Sequence, residues 1–308
     1  MVQLMEVSPR DGLQNEAVQV PTEAKLALIT SALAAGVKRI EVTSFVHPKK
    51  VPQLADAEAL CAALGPQEGV SLTGLVMNVR GAERALATGV IDDIGMVLPV
   101  SDAFGQRNQG MSVAAACDEA LRVFERAAAG GRSYQLTLAV AFGCPFSGRT
   151  PLDACLALAE RFADAGLREL ALADTIGVAA PGEVTKAFQA LSSVMGAKTP
   201  LRAHFHNTRG LGIANALAAR AAGVATLDAS IGGIGGCPFA PGATGNIATE
   251  ELLYALERDG TALAIDLPAI LQSASALEVA LGKPLPSLLY RAGLAPLGEP
   301  VAPSVPAA

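Results

Sequence analysis

Two of the three histidines in this 308-residue chain stand one residue apart, in the run Leu201-Arg202-Ala203-His204-Phe205-His206-Asn207. Successive side chains of a β-strand point to opposite faces, so His204 and His206 project one way and Phe205 the other. Two imidazoles on one face can take two cis positions on a divalent metal ion. They can equally be polar residues at a strand end, and spacing alone does not separate the two readings. A second chemically suggestive stretch runs from Gly232 to Asn246 and holds Gly232, Gly233, Gly235, Gly236, Gly242 and Gly245. Glycines permit backbone shapes closed to other residues and let a chain approach a ligand closely, so this reads as a mobile lid or a ligand cradle. Cys237 sits inside it between Gly236 and Pro238. Cys61, Cys117 and Cys155 fall on helical faces, where inert buried thiols are the expectation. Asn246 closes the loop, either as a helix N-cap or with its carbonyl oxygen offered to the metal.

These residues need a scaffold, and the pattern around them supplies one. Short β-rich runs at 3–7, 39–45, 72–77, 94–99, 135–142, 169–173, 201–206 and 226–231 alternate with Ala-rich helical patterns. The helices are expected near 22–35, 53–64, 80–88, 112–129, 151–165, 181–195, 209–222 and 246–258. Gly36, Gly89, Gly130, Gly166 and Gly223 stand where helices should stop. Eight strands in strict alternation with helices predict an α/β fold, a (β/α)8 TIM barrel. A doubly wound sheet is the alternative, but no Gly-x-Gly-x-x-Gly follows the first strand. Further helices at 267–281 and 286–292 would cover a barrel face or a contact in a homo-oligomer. Residues 1–298 read as one catalytic domain, and the Pro/Ala-rich end, 299–308, as a disordered tail.

Composition narrows the class. Hydrophobic residues make up 51% and charged residues 17%, as suits a chain with a large core. Alanine supplies much of the apolar share, and no run approaches the roughly 18–20 apolar residues of a spanning helix, so no membrane is expected. A net charge of −6 without basic clusters argues against nucleic acid as a partner. Five scattered cysteines do not make a disulfide framework, and an apolar strand begins within a few residues of Met1, which leaves no room for a signal peptide. A cytoplasmic location is the expectation.

TIM-barrel chemistry sits at the C-terminal ends of the strands. There this sequence places Ser8-Pro9-Arg10-Asp11 after the first strand, Glu41 within the second and Thr43-Ser44 at its end. Asp174-Thr175 ends the sixth, His204 and His206 lie on the seventh, and the glycine loop follows the eighth. Asp and Thr after a strand often cap the next helix, but four or more strands aiming such groups at one mouth predict an enzyme. Asp11 would face the histidine pair across the mouth, and oxygen-rich ligation with open positions suits octahedral Mg2+ or Mn2+. The histidines have no Cys-x-x-Cys companion, which counts against structural zinc, while catalytic zinc on two His and one Asp stays open.

The stretches Ser8-Pro9-Arg10-Asp11-Gly12-Leu13-Gln14-Asn15-Glu16, Glu41-Val42-Thr43-Ser44-Phe45-Val46, Asp174-Thr175-Ile176-Gly177 and Gly235-Gly236-Cys237-Pro238-Phe239-Ala240-Pro241-Gly242-Ala243 together resemble the 3-hydroxy-3-methylglutaryl-CoA lyase family of metal-dependent barrel lyases. The likeness runs from about residue 3 to 260, and the cysteine loop is its most specific part. The resemblance implies that Asp11, His204, His206 and Asn246 hold Mg2+ or Mn2+. It gives Arg10 the enolate of acetyl-CoA, Glu41 the support of Arg10, Asp174 a part in proton transfer and Cys237 the role of catalytic acid/base. Ser44, Thr175 and Gly236 would touch an acyl-CoA substrate. The implied reaction is a retro-Claisen cleavage to acetyl-CoA and acetoacetate.

The physical demands of that reaction match the residue types. A chelated tertiary alcohol loses its proton more readily, and a guanidinium stabilises oxyanion charge that develops only in the transition state. The sequence departs from the family at Asn207 and Arg209, where Asp and Tyr are usual, at His47, and in the run Asn108-Gln109-Gly110-Met111. None of these is an implied metal ligand; several belong to loops that would shape the acyl pocket. Two other readings therefore stand beside the first: a sister lyase for a different 3-hydroxy-3-alkyl acyl-CoA, and a non-catalytic acyl-CoA-binding barrel.

Overall fold

The apolar strand runs are buried on both faces, as a parallel sheet wrapped by helices requires. The computed structural model describes residues 2–236 and 245–295. Its barrel strands are β1 (Gln3–Glu6), β2 (Arg39–Ser44), β3 (Ser71–Val76), β4 (Asp93–Pro99), β5 (Ser133–Ala139), β8 (Glu169–Asp174), β9 (Leu201–Phe205) and β10 (Thr226–Ala229). They are parallel and follow sequence order, and β10 pairs with β1 to close the ring. A small antiparallel hairpin, β6 (Gly143–Cys144) and β7 (Gly148–Arg149), stands apart after β5. The fold is a (β/α)8 TIM barrel.

Helices α1 (Thr22–Ala34), α2 (Ala57–Leu64), α3 (Val79–Ala87), α5 (Val113–Ala129), α6 (Leu152–Phe162), α7 (Pro181–Met195), α8 (Gly212–Ala221) and α9 (Thr249–Arg258) form the outer ring. The strands and helices share one hydrophobic core that includes Ile40, Val42, Leu136, Leu138, Leu170, Leu172 and Phe205. Each such side chain contributes about 1.5–3 kcal/mol by leaving water. The additional helices α10 (Leu267–Leu281) and α11 (Leu288–Ala292) follow. The α10 helix packs on α1 and on the turn at 231–233, and the Ser287 amide donates to the Gly232 carbonyl at 3.2 Å. The C-terminal helices therefore brace the base of the glycine loop. The tail expected at 299–308 lies outside the described residues, and among those described no helix is long and apolar enough to cross a membrane.

Three local features differ from the sequence expectation. Helix α4 (Asp102–Asn108) stands where no helix is expected, its first turn capped by Ser101, which accepts from the Phe104 amide at 3.2 Å. Strand β5 stops at Ala139 rather than continuing to 142, because Val140 takes a positive φ of 55°. That conformation is costly for a β-branched residue and ends the strand. Helix α9 begins at Thr249 with Ala248 as its N-cap, so Asn246 is not a helix cap.

Candidate active site

The end of β1 turns through one wide π-type turn, Ser8–Gly12, in which the Gly12 amide reaches back to the Val7 carbonyl. The turn presents Arg10 and Asp11 side by side over the barrel mouth. Arg10 Nη1 donates to Asp11 Oδ1 at 2.5 Å, while its Nε and Nη2 meet Glu41 Oε2 at 2.8 and 2.6 Å. A register shift in β2 between Glu41 and Thr43 accompanies this placement. The guanidinium is thus fixed from two sides, with only 8% of Arg10 exposed.

Period-two alternation in β9 sets His204 and, just beyond it, His206 on the lumen side, their ring centroids 5.2 Å apart. Phe205 turns outward to pack near Phe142. One ligand atom each from Asp11, His204 and His206 lies within 4.8 Å of the others, and among the described residues this is the one such cluster of three metal-ligating side chains. Asn246 pairs across from His206 in an isolated bridge and donates its Nδ2 to Asp11 Oδ2 at 2.8 Å. Asn246 Oδ1 and His206 Nδ1 are buried without a hydrogen-bond partner. A buried lone pair left unused is costly, so a nest of them beside a carboxylate fits a bound cation. Gly235 allows the close approach: at φ 114° it passes so near Asn246 and Asp11 that a Cβ there would meet Asn246 Nδ2 at 2.4 Å.

The electrostatics of Asp11 and His206 point the same way. Burial works against the Asp11 charge, yet the Arg10 guanidinium and both imidazoles bring its pKa down to about 2. Burial, and then the neighbouring His204, push His206 down to about 4, which keeps one ring-nitrogen lone pair available at neutral pH. His204 is raised instead: burial opposes its charge, but the hydrogen bond to Asp228 and the Asp11 charge outweigh it. For Arg10, burial is likewise outweighed by Glu41 and Asp11, and its pKa rises.

These groups open onto a cavity of ≈ 870 Å3 whose wall includes Arg10, Asp11, His204, His206, Thr175 and Gly236. Thr175 Oγ1 accepts from the amide of the strained Val140 at 2.8 Å, and the Gly236 carbonyl accepts from Asn15 at 2.8 Å. Glu41 and Asn246 are off this wall but reach the site through Arg10 and Asp11, while two other expected site residues stand apart. Asp174 is fully buried off the cavity wall, and its two oxygens accept from the Val178 and Ala179 amides, both at 2.9 Å. Both carboxylate oxygens are thereby engaged in holding the turn that carries Thr175, not turned toward a substrate proton. Ser44 is also off the wall, its hydroxyl oxygen accepting from the Val46 amide at 3.3 Å. Cys237 lies outside the described residues. Arg209 ties two loops by donating to the Ile176 and Gly177 carbonyls at 2.8 and 3.0 Å. Cys61 and Cys155 are buried and unpaired, and burial pushes their thiols up to about 11 and about 12.

Sequence reasoning overlooked two groups that organise the site. Glu6 accepts from the Ser8 amide at 2.8 Å, the Ile231 amide at 3.1 Å and Thr249 Oγ1 at 2.6 Å. It thereby joins the turn carrying Arg10 to the base of the glycine loop and to the start of α9. Asp228, on β10, contacts His204 Nδ1 at 3.0 Å and Arg202 Nη1 at 3.2 Å. Strand parity holds the one available signal for Asp228: it stands two residues after Thr226, on the same lumen-facing side as other polar positions.

The HMGL-like family model matches residues 1–277. The hydroxymethylglutaryl-CoA lyase YngG of Bacillus subtilis is 38% identical over 290 residues, which cover 93% of this chain and 95% of that one. The (R)-citramalyl-CoA lyase of Chloroflexus aurantiacus is also 38% identical, covering 95% of both. Among solved structures, an HMG-CoA lyase from Acinetobacter baumannii in complex with coenzyme A and 3-methylmalate superposes with a TM-score of 0.92 at 38% identity, covering 98% of each chain. With a closed barrel, a convergent Asp–His–His cluster and relatives of this kind along its length, the chain belongs to the HMGL-like family and is a carbon–carbon lyase.

Proposed function

We propose that this protein is a divalent-metal-dependent lyase that cleaves 3-hydroxy-3-methylglutaryl-CoA to acetyl-CoA and acetoacetate, with Mg2+ or Mn2+ as its ion. The observation that carries this reading is the convergence of Asp11, His204 and His206 beside the doubly anchored Arg10 in one cavity. Asp11, His204 and His206 would hold the ion, with the free Oδ1 of Asn246 as a further ligand. When bound there it would supply Lewis acidity, lowering the pKa of the substrate's tertiary hydroxyl.

The remaining work falls to the protein's own groups. As the hydroxyl proton passes to a base, a role the family resemblance gives to Cys237 as its thiolate, the bond between C2 and C3 breaks and its electron pair becomes the enolate of acetyl-CoA, while C3 becomes the ketone of acetoacetate. Arg10, fixed by Glu41, meets negative charge on the thioester oxygen that exists only as the bond breaks. The Thr175 oxygen already accepts from Val140, which leaves its hydroxyl proton to donate to the ligand. Proton delivery to the enolate carbon belongs in this reading to the Cys237 thiol, on the strength of the family resemblance, and Asp174 serves by holding the Thr175 turn.

A sister activity on a longer 3-alkyl group is the second reading. It is favoured by the apolar part of the cavity wall, Leu75, Met77, Val97, Phe104 and Met111, and by similarity to a 3-hydroxy-3-isohexenylglutaryl-CoA/hydroxy-methylglutaryl-CoA lyase of Pseudomonas aeruginosa at 36% identity. The four cysteines among the described residues are buried and unpaired, which suits a reducing cytoplasm as the site of action. Steady-state cleavage across a panel of 3-hydroxy-3-alkyl acyl-CoAs decides the substrate. With Mn2+ present, acetyl-CoA release should be fastest from the methyl compound and should vanish with chelator. Turnover confined to a longer homologue would replace the first reading with the second.

A further inference from the structure

His204 has two nitrogens, and the fold treats them differently. Its Nε2 faces the predicted metal position, 3.9 Å from Asp11 Oδ2. Its Nδ1 lies 3.0 Å from Asp228 Oδ2 on the neighbouring strand β10. Asp228 is itself seated: Arg202 Nη1 reaches its two oxygens at 3.3 and 3.2 Å, and Arg202 Nη2 donates to Thr137 Oγ1 on β5 at 2.6 Å. Arg202 and Asp228 are 4% and 3% exposed, and both, with the half-buried Thr137, belong to the cavity wall. This chain of contacts crosses the barrel from β5 through β9 to β10.

A carboxylate facing a guanidinium acts as an acceptor, so Asp228 would hold the proton it shares with His204 on Nδ1. We infer that Asp228, seated by Arg202 and Thr137, is a positioning residue that fixes His204 as the Nδ1–H tautomer and so turns the lone pair of Nε2 toward Asp11. This inference rests on the metal-dependent reading above and assigns this chain's own machinery for it. An unconstrained histidine side chain in water favours the opposite tautomer, with the proton on Nε2, which would aim hydrogen rather than a lone pair at a cation. Outer partners of this kind set both ring orientation and ligand basicity. At His206 it is Nδ1 that is buried without a hydrogen-bond partner, the nitrogen left for a cation there.

The isosteric variant Asp228→Asn makes the sharpest test. Arg202 can face only an oxygen, so the new amide turns its oxygen to the guanidinium and its NH2 to His204. Nδ1 must then accept, and the ring is driven to the Nε2–H tautomer. The chain has three histidines, His47, His204 and His206, so 15N-labelled imidazole spectra of the metal-free protein are readable, with His204→Gln identifying the His204 signals. At a pH alkaline enough to keep the ring neutral, wild type should show His204 as Nδ1–H, and Asp228→Asn and Asp228→Ala should show it as Nε2–H. In titrations followed by electron paramagnetic resonance, Mn2+ affinity should fall about 10–100-fold in both variants. His204 remaining Nδ1–H in both variants, or already being Nε2–H in wild type, would overturn the inference. Wild type that binds no Mn2+ would instead overturn the metal-dependent reading, while the tautomer comparison would still decide the role of Asp228.

Discussion

At the floor of the barrel, where the strands begin, Arg39 forks onto Glu169 with its two terminal nitrogens at 2.7 and 2.6 Å, and Thr226 donates to the same carboxylate at 2.5 Å. At the mouth, where the strands end, Asp11, His204, His206 and Asn246 crowd together with lone pairs unassigned on His206 and Asn246. Both ends bury charge, so charge at a strand end does not by itself mark a catalytic centre. What differs is convergence. Single atoms are left without hydrogen bonds at the floor too, Arg39 Nε and Asp93 Oδ2 among them, but no cluster of three metal-ligating side chains forms there among the described residues. Opposite charges have been matched to one another at the floor, and acceptors have been gathered around a shared point at the mouth. The first arrangement holds strands in register; the second leaves a place for something positive.

Substitution should separate the two ends. Arg39→Met leaves Glu169 buried without its cation, and removing one partner of a buried pair costs about 3–5 kcal/mol. Chemical denaturation should register that loss, while kcat per folded molecule stays near wild type. A large fall in kcat with unchanged stability would mean that the floor takes part in the chemistry. Arg10→Gln at the mouth should behave in reverse. It keeps a hydrogen-bond donor but removes the charge offered to the enolate, so kcat/KM should fall by about 10²–10³, roughly 2.7–4 kcal/mol of transition-state stabilisation. Its own carboxylate neighbours temper the stability effect, because Asp11 keeps Asn246. A near-normal rate would remove Arg10 from the charge-stabilising role.

The convergence at the mouth was legible where parity and topology suffice. His204 and His206 had to share a face once Leu201–Phe205 was a strand, and Asp11 had to stand near them once the first strand neighboured the last in a closed ring. Glu6 was illegible because its contact is made only by closure, with Thr249 243 residues away, and Asp228 because parity alone does not say that it meets His204 on the neighbouring strand. Nothing in Val140 as a residue type announces a positive φ, which valine resists; that bend exists because Thr175 and Thr150 hold the amide and carbonyl of Val140. Helix α4 did carry a signal, the Ser101-Asp102 start three residues before Phe104, masked by the polar composition that follows.

Asp174 gives the finest test of the contrast, because it stands at the mouth and is bonded as a floor residue would be. Its carboxylate is buried, and burial raises its pKa against the opposing pull of the Val178 and Ala179 amides. Asp174→Asn retains one oxygen for two amides and sets an NH2 against the other, at a cost of about 1–3 kcal/mol for the spoiled hydrogen bond. The expected result is a lowered melting temperature with a fall in kcat/KM of less than about tenfold, since the Thr175 turn is loosened but no reacting proton is lost; general acid–base groups are commonly worth about 10²–10⁴-fold. A loss within that larger range, at unchanged melting temperature, would return Asp174 to proton transfer. It would also show that a carboxylate with both oxygens occupied in this conformation can still act at the mouth, which is the point at which bonding pattern would cease to distinguish the barrel's two ends.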